Sequence, residues 1–486
     1  MANINTRRGA KQSPRLSFTS LLQYFFLFTS LLLLLGYYSF YKSSKQYEGL
    51  SERYQRGGIH VSGLAGHIRK QDSKYNSKAT IGYAITVSGC PKGDATRGDF
   101  GAGITDGAAV LLHSIRMNSV RNPESGSLYD YKMYALVHPE AEHCARPTLE
   151  PLGYKILIRN VPVLLEKIEG DYLREKVPSN GCCGEKEFVK LHAYTLVDHP
   201  AVVHLDLDTL VLKPMDSLFD LMIDGVPSDG SNGGVEVAFG DAISPVGAES
   251  SVGKIDAFFT RDYNMAHRGM KHVGVQGGFL VLRPSLLVFA EFSSIIRKGD
   301  FRSNGGWGGL GFGPFYGSMT FQGIIPYFYD HLHPGTGIEL NHCIYNNMAD
   351  NPRDKPTKND IVSGSCRDGY NRPDKNDECE DCRSRNFDEV VTTHFTLCQK
   401  PWECHPQDGD RIQERLCRKF HGAWFKIRED LETSIWGRKH VELNNADEVQ
   451  KERGGLFQPE QFRGYCKSAG KKGYIAMKVP TVAKTS

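Results

Sequence analysis

The stretch Val202 to Pro214 reads VVHLDLDTLVLKP. An apolar run enters it, two carboxylates (Asp206 and Asp208) stand one residue apart, and a second apolar run, Leu210 to Leu212, leaves it. A buried strand that ends in two acids carries anionic oxygens to the tip of a sheet, where ligands of open α/β sheets bind. Hard divalent cations prefer carboxylate oxygens, and a phosphate-bearing substrate completes their shell. The stretch therefore predicts a metal-diphosphate site at the end of a central strand.

The bulk composition agrees with a packed enzyme. The 486 residues are 40% hydrophobic and 24% charged, with a net charge of +3. A core is feasible, and no basic stripe in the body points to nucleic acid. The 12 cysteines predict metal sites in a reducing compartment and disulfides in an oxidising one. The N-terminal segment bears on that choice. Leu16 to Tyr41 contains no charged residue, and Arg7, Arg8, Lys11 and Arg15 precede it. Roughly 20 apolar residues cross a bilayer, and leading positive charge keeps the N-terminus cytosolic. A cleaved signal peptide is the rival, but the apolar run is long for one and no small-residue cleavage site follows it. The expectation is a cytosolic tail over 1–15, a type II anchor over 16–41, a polar stem over 42–78, a lumenal catalytic domain over 79–436, and a polar tail over 437–486. This predicts a Golgi or ER membrane protein. No Asn-x-Ser/Thr sequon is present to mark the lumenal side.

Along the body, strand-like runs at Thr80–Val87, Tyr131–Val137, Tyr154–Ile158 and Ala201–Leu205 alternate with helical patterns at Asp106–Val120 and Glu187–Val197. That alternation predicts βαβ units and a mainly parallel sheet. Further on, Asp216–Met222, Ser285–Ile296 and Arg411–Glu432 read as helices and Phe321–His331 as a broken one. Gly278–Leu282 and Val390–Phe395 read as strands.

Three distant pieces could serve one site. Lys190-Leu191-His192 lies on the helix before the acidic strand, where a lysine can meet a phosphate or a carboxylate. His394-Phe395 ends a late strand, and Lys400-Pro401-Trp402 begins six residues after the histidine. Imidazole beside two carboxylates suits Mn²⁺ better than Ca²⁺. Each piece alone has an ordinary structural reading. A different chemistry also fits part of the pattern. DxDxT after a hydrophobic strand is the motif of haloacid-dehalogenase-type phosphatases, in which Asp206 would be the nucleophile and Asp208 the acid/base. Here Thr209 comes one residue early and Leu210 takes the threonine position.

Taken together and in this order, Lys190-Leu191-His192, Asp206 to Val211, His394-Phe395 and Lys400-Pro401-Trp402 resemble the glycogenin-like glycosyltransferase family 8. The resemblance covers about Thr80 to Glu432. It implies a GT-A fold, a Rossmann-like sheet flanked by helices. It also implies a UDP-sugar donor, Mn²⁺, and transfer to a glycan, protein or lipid acceptor with retention of anomeric configuration. By that pattern Asp206, Asp208 and His394 bind the metal, Lys400 contacts the diphosphate and Lys190 lies by the donor. Gln276 stands where the family has asparagine and would meet the sugar, and Gln322 would orient the reactants. The chain departs from the family at Gln276-Gly277-Gly278, at Phe321, which replaces an acid, and at Leu397, which replaces a glycine. These departures leave room for a catalytically silent sugar-nucleotide-binding relative.

Two segments are more individual. Asn304 to Ser318 (NGGWGGLGFGPFYGS) is either a surface loop or an acceptor lid that stacks Trp307, Phe315 or Tyr316 on a sugar. Cys379-x-x-Cys382 fits zinc or disulfides, and the acidic loop around it favours disulfides.

Overall fold

The structure is a computed structural model that describes residues 76–90, 101–225, 254–265, 271–349, 382–404, 416–435 and 474–477. The expected anchor, the cytosolic tail, most of the stem and Cys379 lie outside the described residues. Among the described residues no helix is long and apolar enough to cross a membrane.

Eleven strands are described: β1 (Ala79–Val87), β2 (Tyr129–Val137), β3 (Lys155–Ile158), β4 (Val202–Leu205), β5 (Thr209–Val211), β6 (Ala257–Arg261), β7 (Val275–Leu282), β8 (Phe301–Arg302), β9 (Gly306–Trp307), β10 (Gly337–Glu339) and β11 (Thr392–His394). Seven form the main sheet, in the order β10-β6-β7-β4-β1-β2-β3. β3, β2, β1 and β4 run parallel to one another, as alternating βαβ units require. β7 departs from the parallel expectation, since it runs antiparallel to both β4 and β6. The sequence reading also omitted β6 and β10. Every residue of β4 and β7 is buried, and apolar stretches such as Phe279 to Leu282 carry no sign of strand direction.

Side chains alternate between two apolar layers. On one face, Ile81, Tyr83, Val203, Leu205 and Phe279 pack under the helices Ala102–Met117, Asp216–Asp224 and Leu416–Asp430. On the other, Ala84, Val202, Leu280 and Leu282 pack under Leu286–Lys298, Phe321–Pro326 and a segment over Gly184–Thr195. That last segment, expected as a helix over Glu187–Val197, is a 3₁₀ helix over Gly184–Thr195. Its period of three stacks Phe188, Leu191 and Tyr194, all fully buried, into the core. The same period aligns Glu187 with Lys190 on a second face, where they pair at 3.1 Å. Phe321–Pro326 passes into a π-helical turn over Tyr327–Leu332, the expected broken helix.

The chain leaves β1 toward β2 on one side and returns to it with β4 on the other. The carboxyl ends of β1 and β4 thus form a topological switch point, the usual crevice of open α/β sheets. β5 and β11 pair antiparallel in a separate two-stranded sheet beside that crevice. Two disulfides brace this region. Cys343–Cys382 lies behind β11, where Asn347 Nδ2 donates to both Cys343 O and Cys382 O. Cys398–Cys417 ties the loop after β11 to the helix Leu416–Asp430. Cys90–Cys144 is a third bridge. Cys382 is therefore a disulfide partner, and the zinc reading of Cys379-x-x-Cys382 is set aside.

A short piece of the expected tail returns to the body. Tyr474 Oη donates to Asp106 Oδ2 at 2.6 Å and Met477 N donates to the same oxygen at 2.9 Å, while Arg428 donates to Tyr474 Oη.

Opening the Cys398–Cys417 loop, a separation of 19 residues, is expected to lower stability by about 3 kcal/mol. Cys398→Ser with Cys417→Ser should shift the urea midpoint down in far-UV circular dichroism; an unchanged midpoint would contradict a bracing role.

Candidate active site

The acidic stretch folds as its pattern predicts. β4 ends at Leu205, and Asp206 N donates to Gly278 O on β7. A tight turn follows, in which Thr209 N and Thr209 Oγ1 both donate to Asp206 O, the latter at 2.6 Å. β5 then begins, and its register with β11 sets His394 opposite Thr209. Phe395 N donates to Asp208 O, locking the crossing.

This register places His394 Nε2 3.3 Å from Asp208 Oδ1 and 4.0 Å from Asp206 Oδ2. One ligand atom from each of the three residues lies within 4.8 Å of the other two. A cation bound at about 2.1 Å needs neighbouring ligands roughly 3 Å apart and opposite ones roughly 4 Å apart. The triad fits that requirement, and its donor set of two carboxylates and one imidazole suits Mn²⁺. His394 Nε2 also meets Thr396 Oγ1 at 2.8 Å, while Nδ1 is buried against Gly278 with no hydrogen-bond partner among the described residues.

Two lysines hold the acids. Lys400 Nζ donates to Asp208 Oδ2 at 2.7 Å. Lys190 Nζ donates to Asp206 Oδ1 at 3.0 Å and to Gly277 O at 3.1 Å. Burial opposes every charge here, so the partners decide the outcome. For Asp208, burial is outweighed by His394 and Lys400, which hold its carboxyl well below the usual range. For Asp206, burial wins and its pKa rises, with Lys190 as the main counterweight. Burial of His394 is overcome chiefly by Asp208, which lifts its pKa above the ordinary histidine value. Lys190 is raised too, because Asp206 and Glu187 outweigh its burial.

Trp402 explains how Lys400 reaches the site. A side chain at Gly103 or Gly107 of the helix Ala102–Met117 would collide with the indole, so only glycine admits it there. The indole also meets Trp424 at 5.9 Å between ring centroids. In the Lys-Pro-Trp sequence, tryptophan is thus the packing anchor and lysine the group it presents.

A cavity of about 240 Å³ opens beside the triad, with Lys190, Asp206, Asp208, Gln276 and Gln322 among its lining. The predicted residues therefore converge, with His394 behind the acids. Gln276 is more committed than expected. Its Oε1 accepts from Gly278 N at 2.6 Å and from Asn346 Nδ2 at 3.1 Å, leaving the amide nitrogen for a ligand. Phe321, where an acid was expected, is fully buried with Lys190 Nζ 5.7 Å over its ring.

The sequence reading missed Glu187. It lines the cavity, and Lys190 overcomes its burial to keep it ionised. The available signal was its spacing of three from Lys190, which sets the two side chains next to each other on any helical turn. Trp307 is corrected in the opposite direction. It is fully buried, with Nε1 donating to Ser318 O at 2.8 Å, and cannot stack on a sugar. Phe315 packs over Gly274. Tyr316 lines the cavity and is 51% exposed.

No protein-family model and no curated protein matches the sequence. Solved structures overlap it loosely. The apo WbbM bifunctional glycosyltransferase is 12% identical, with 74% of this chain and 52% of WbbM covered at a TM-score of 0.36, so this chain spans about half of that protein. The galactosyltransferase LgtC, in complex with donor and acceptor sugar analogs, is 12% identical over 72% of this chain and 96% of its own, at 0.34. Mouse xyloside xylosyltransferase 1, in its apo form, is 12% identical over 55% and 86%, at 0.30. Superpositions this loose assign neither family nor substrate.

A methyl group on Gly278 would stand 2.5 Å from His394 Cε1. Gly278→Ala is therefore expected to weaken Mn²⁺ binding at least ~10-fold in calorimetry, with far-UV circular dichroism unchanged; equal affinity would remove His394 from the site. The pH response has a definite sign. His394 ligates only when neutral, and its pKa lies above 6.5. Mn²⁺ affinity should thus rise as pH increases through that region. In the metal-free protein the His394–Asp208 attraction is lost over the same interval, so that contribution to stability falls. Calorimetry and thermal melts between pH 6 and 9 read both, and a flat affinity profile would count against the imidazole ligand.

Proposed function

We propose that the protein is a metal-dependent glycosyltransferase that moves a hexosyl or related sugar from a UDP-sugar to a glycan, protein or lipid acceptor. The observation that carries this reading is the convergence of Asp206, Asp208 and His394, with Lys190 and Lys400 paired to the two acids, beside one cavity at the switch point that Lys190, Asp206 and Asp208 line. In the same proposal, 16–41 anchors the chain in the Golgi or ER membrane and the catalytic body is lumenal.

Asp206, Asp208 and His394 would hold the cation, which supplies Lewis-acid neutralisation of the diphosphate. Lys400 brings a further positive charge to the same edge, and its attraction grows as negative charge collects on the leaving UDP. Lys190 keeps Asp206 and Glu187 paired, so both carboxylates stand in position before substrate arrives. Glu187 accepts a hydroxyl of the donor sugar and Gln276 offers its amide N–H to another. Gln322, packed 3.1 Å from where a Gly317 side chain would begin, orients the reactants. Among the described residues lining the cavity, Glu187 is the one acid outside the triad. It is bound to Lys190 and to Cys182, an arrangement suited to holding a hydroxyl rather than attacking carbon. The acceptor hydroxyl therefore attacks from the face the UDP leaves, which retains configuration.

The phosphatase reading expects its motif on the first strand of the domain, whereas β1, β2 and β3 all precede β4.

A panel of UDP-sugars, with and without Mn²⁺ and with EDTA, tests the proposal. One donor should be hydrolysed or transferred only with metal. Asp208→Asn should lower turnover at least ~100-fold while the fold persists. Wild-type turnover by that variant would sink the assignment, and a trapped aspartyl-phosphate without UDP binding would move it to the phosphatase.

A further inference from the structure

Nine cysteines lie among the described residues. Cys90, Cys144, Cys343, Cys382, Cys398, Cys404 and Cys417 are disulfide-bonded, whereas Cys182 and Cys183 are free thiols. Both free thiols line the candidate cavity. They occupy a turn flanked by Gly181 (φ 66°) and Gly184 (φ 60°), left-handed positions that glycine fills without strain. Cys182 Sγ donates to Glu187 Oε1 at 3.0 Å, and one ligand atom from each of Cys182, Cys183 and Glu187 lies within 4.8 Å of the others. The turn also touches the far wall of the cavity, since a side chain on Gly181 would meet Gly317 Cα at 3.4 Å. Gly317 in turn abuts Gln322. The thiol pair is thus in contact with Glu187 on one side and linked through Gly181 and Gly317 to Gln322 on the other.

We propose that Cys182 and Cys183 form a thiol-modification site for small disulfides of the glutathione type, and that its oxidised state closes the cavity to the sugar-nucleotide donor. The second half rests on the donor-site reading above. A chain that builds disulfides meets disulfide oxidants as it folds. This pair is accessible to them, because Cys182 is exposed and Cys183 partly so. The two sulfurs divide the chemistry. The neighbouring Cys182 and a hydrogen bond from Ser88 hold the Cys183 thiol below the ordinary value, so it is the attacking thiolate. Cys182, set against Cys183 and with its S–H held by the Glu187 carboxylate, is held above the ordinary value. Cys183 attacks the small disulfide, forms a mixed disulfide and expels one small thiolate. Cys182 then gives up its proton and attacks Cys183 Sγ, expelling the second small thiolate and leaving a Cys182–Cys183 disulfide. Two protein thiols are oxidised and one small disulfide is reduced to two thiols. Either product alters the cavity. The mixed disulfide places its adduct in a space of about 240 Å³, and the Cys182–Cys183 disulfide removes the S–H that Glu187 accepts.

The test uses the full chain equilibrated in buffers of graded reduced and oxidised glutathione, quenched with acid and mapped by peptide mass. The peptide containing Cys182 and Cys183 should lose two hydrogens or gain a glutathionyl group, while Cys343–Cys382 and Cys398–Cys417 stay oxidised throughout. UDP affinity, read by calorimetry with Mn²⁺ present, should fall at least ~10-fold across the same buffers. In Cys182→Ser with Cys183→Ser, UDP affinity should no longer vary with the buffer. A pair that stays dithiol in every buffer overturns the site. A pair that oxidises with constant UDP affinity, or a double variant that still responds, overturns the closure. If reduced wild type binds no UDP at all, the donor reading fails, and the peptide masses alone decide the modification site.

Discussion

The antiparallel pairing of β5 with β11 is the contact on which the candidate site depends. Asp206 and Asp208 are local to one turn, but they form only part of a binding shell. The remainder comes from residues far along the chain. Lys400 lies 192 positions after Asp208, with which it pairs. Setting His394 opposite Thr209 closes that distance with three backbone partners, Thr392 with Val211, Thr393 with Leu210 and His394 with Thr209. A slip of one residue would turn the imidazole to the other face of the strand. The register is therefore supported from behind. Thr393 Oγ1 donates to Asn347 O and His394 N donates to the same carbonyl, while Cys343–Cys382 and Cys398–Cys417 brace the strand and the loop after it.

Charge balance is the second constraint. Three carboxylates (Asp206, Asp208 and Glu187) and two ammonium groups (Lys190 and Lys400) share a crowded site at the end of a buried sheet. An unpaired charge in such a place is costly, and deleting one partner strands another. Each of these groups has an opposite charge within about 3 Å. The site is thus preorganised, with one more negative than positive charge when His394 is neutral. That excess suits a divalent cation, which in turn suits a diphosphate.

Much of this was legible in the chain. The parallel strands β1, β2 and β4 announced themselves as largely apolar runs because they are buried in the middle of the sheet, and the edge strand β3 through Ile156, Leu157 and Ile158. The acidic turn was legible because its partners are within three residues. Ser285 caps the helix Leu286–Lys298 by accepting from Val288 N, another local contact. Where the reading went astray, the deciding forces were long-range. The direction of β7 is set by its neighbours rather than its own residues. The glycine-rich segment around Trp307 reads equally as a surface loop or an acceptor lid, whereas the folded chain buries its indole. Glu187 stayed hidden because the cavity it lines is walled by distant segments, Asp206 and Gln276 among them.

By itself, then, the sequence determined the strand end that carries Asp206 and Asp208, the apolar run that buries β4, and the residue types able to serve a metal-diphosphate site. Tertiary structure alone decided that His394 faces those acids, that Trp402 wedges Lys400 against Asp208, that Glu187 supplies an acid within the cavity, and that two thiols stand on its rim. The physical reason is range. Propensity, capping and tight turns act over a few residues and are written locally. Strand register, the burial of charge pairs and the walls of a cavity depend on which distant segments meet, and only the folded chain fixes that.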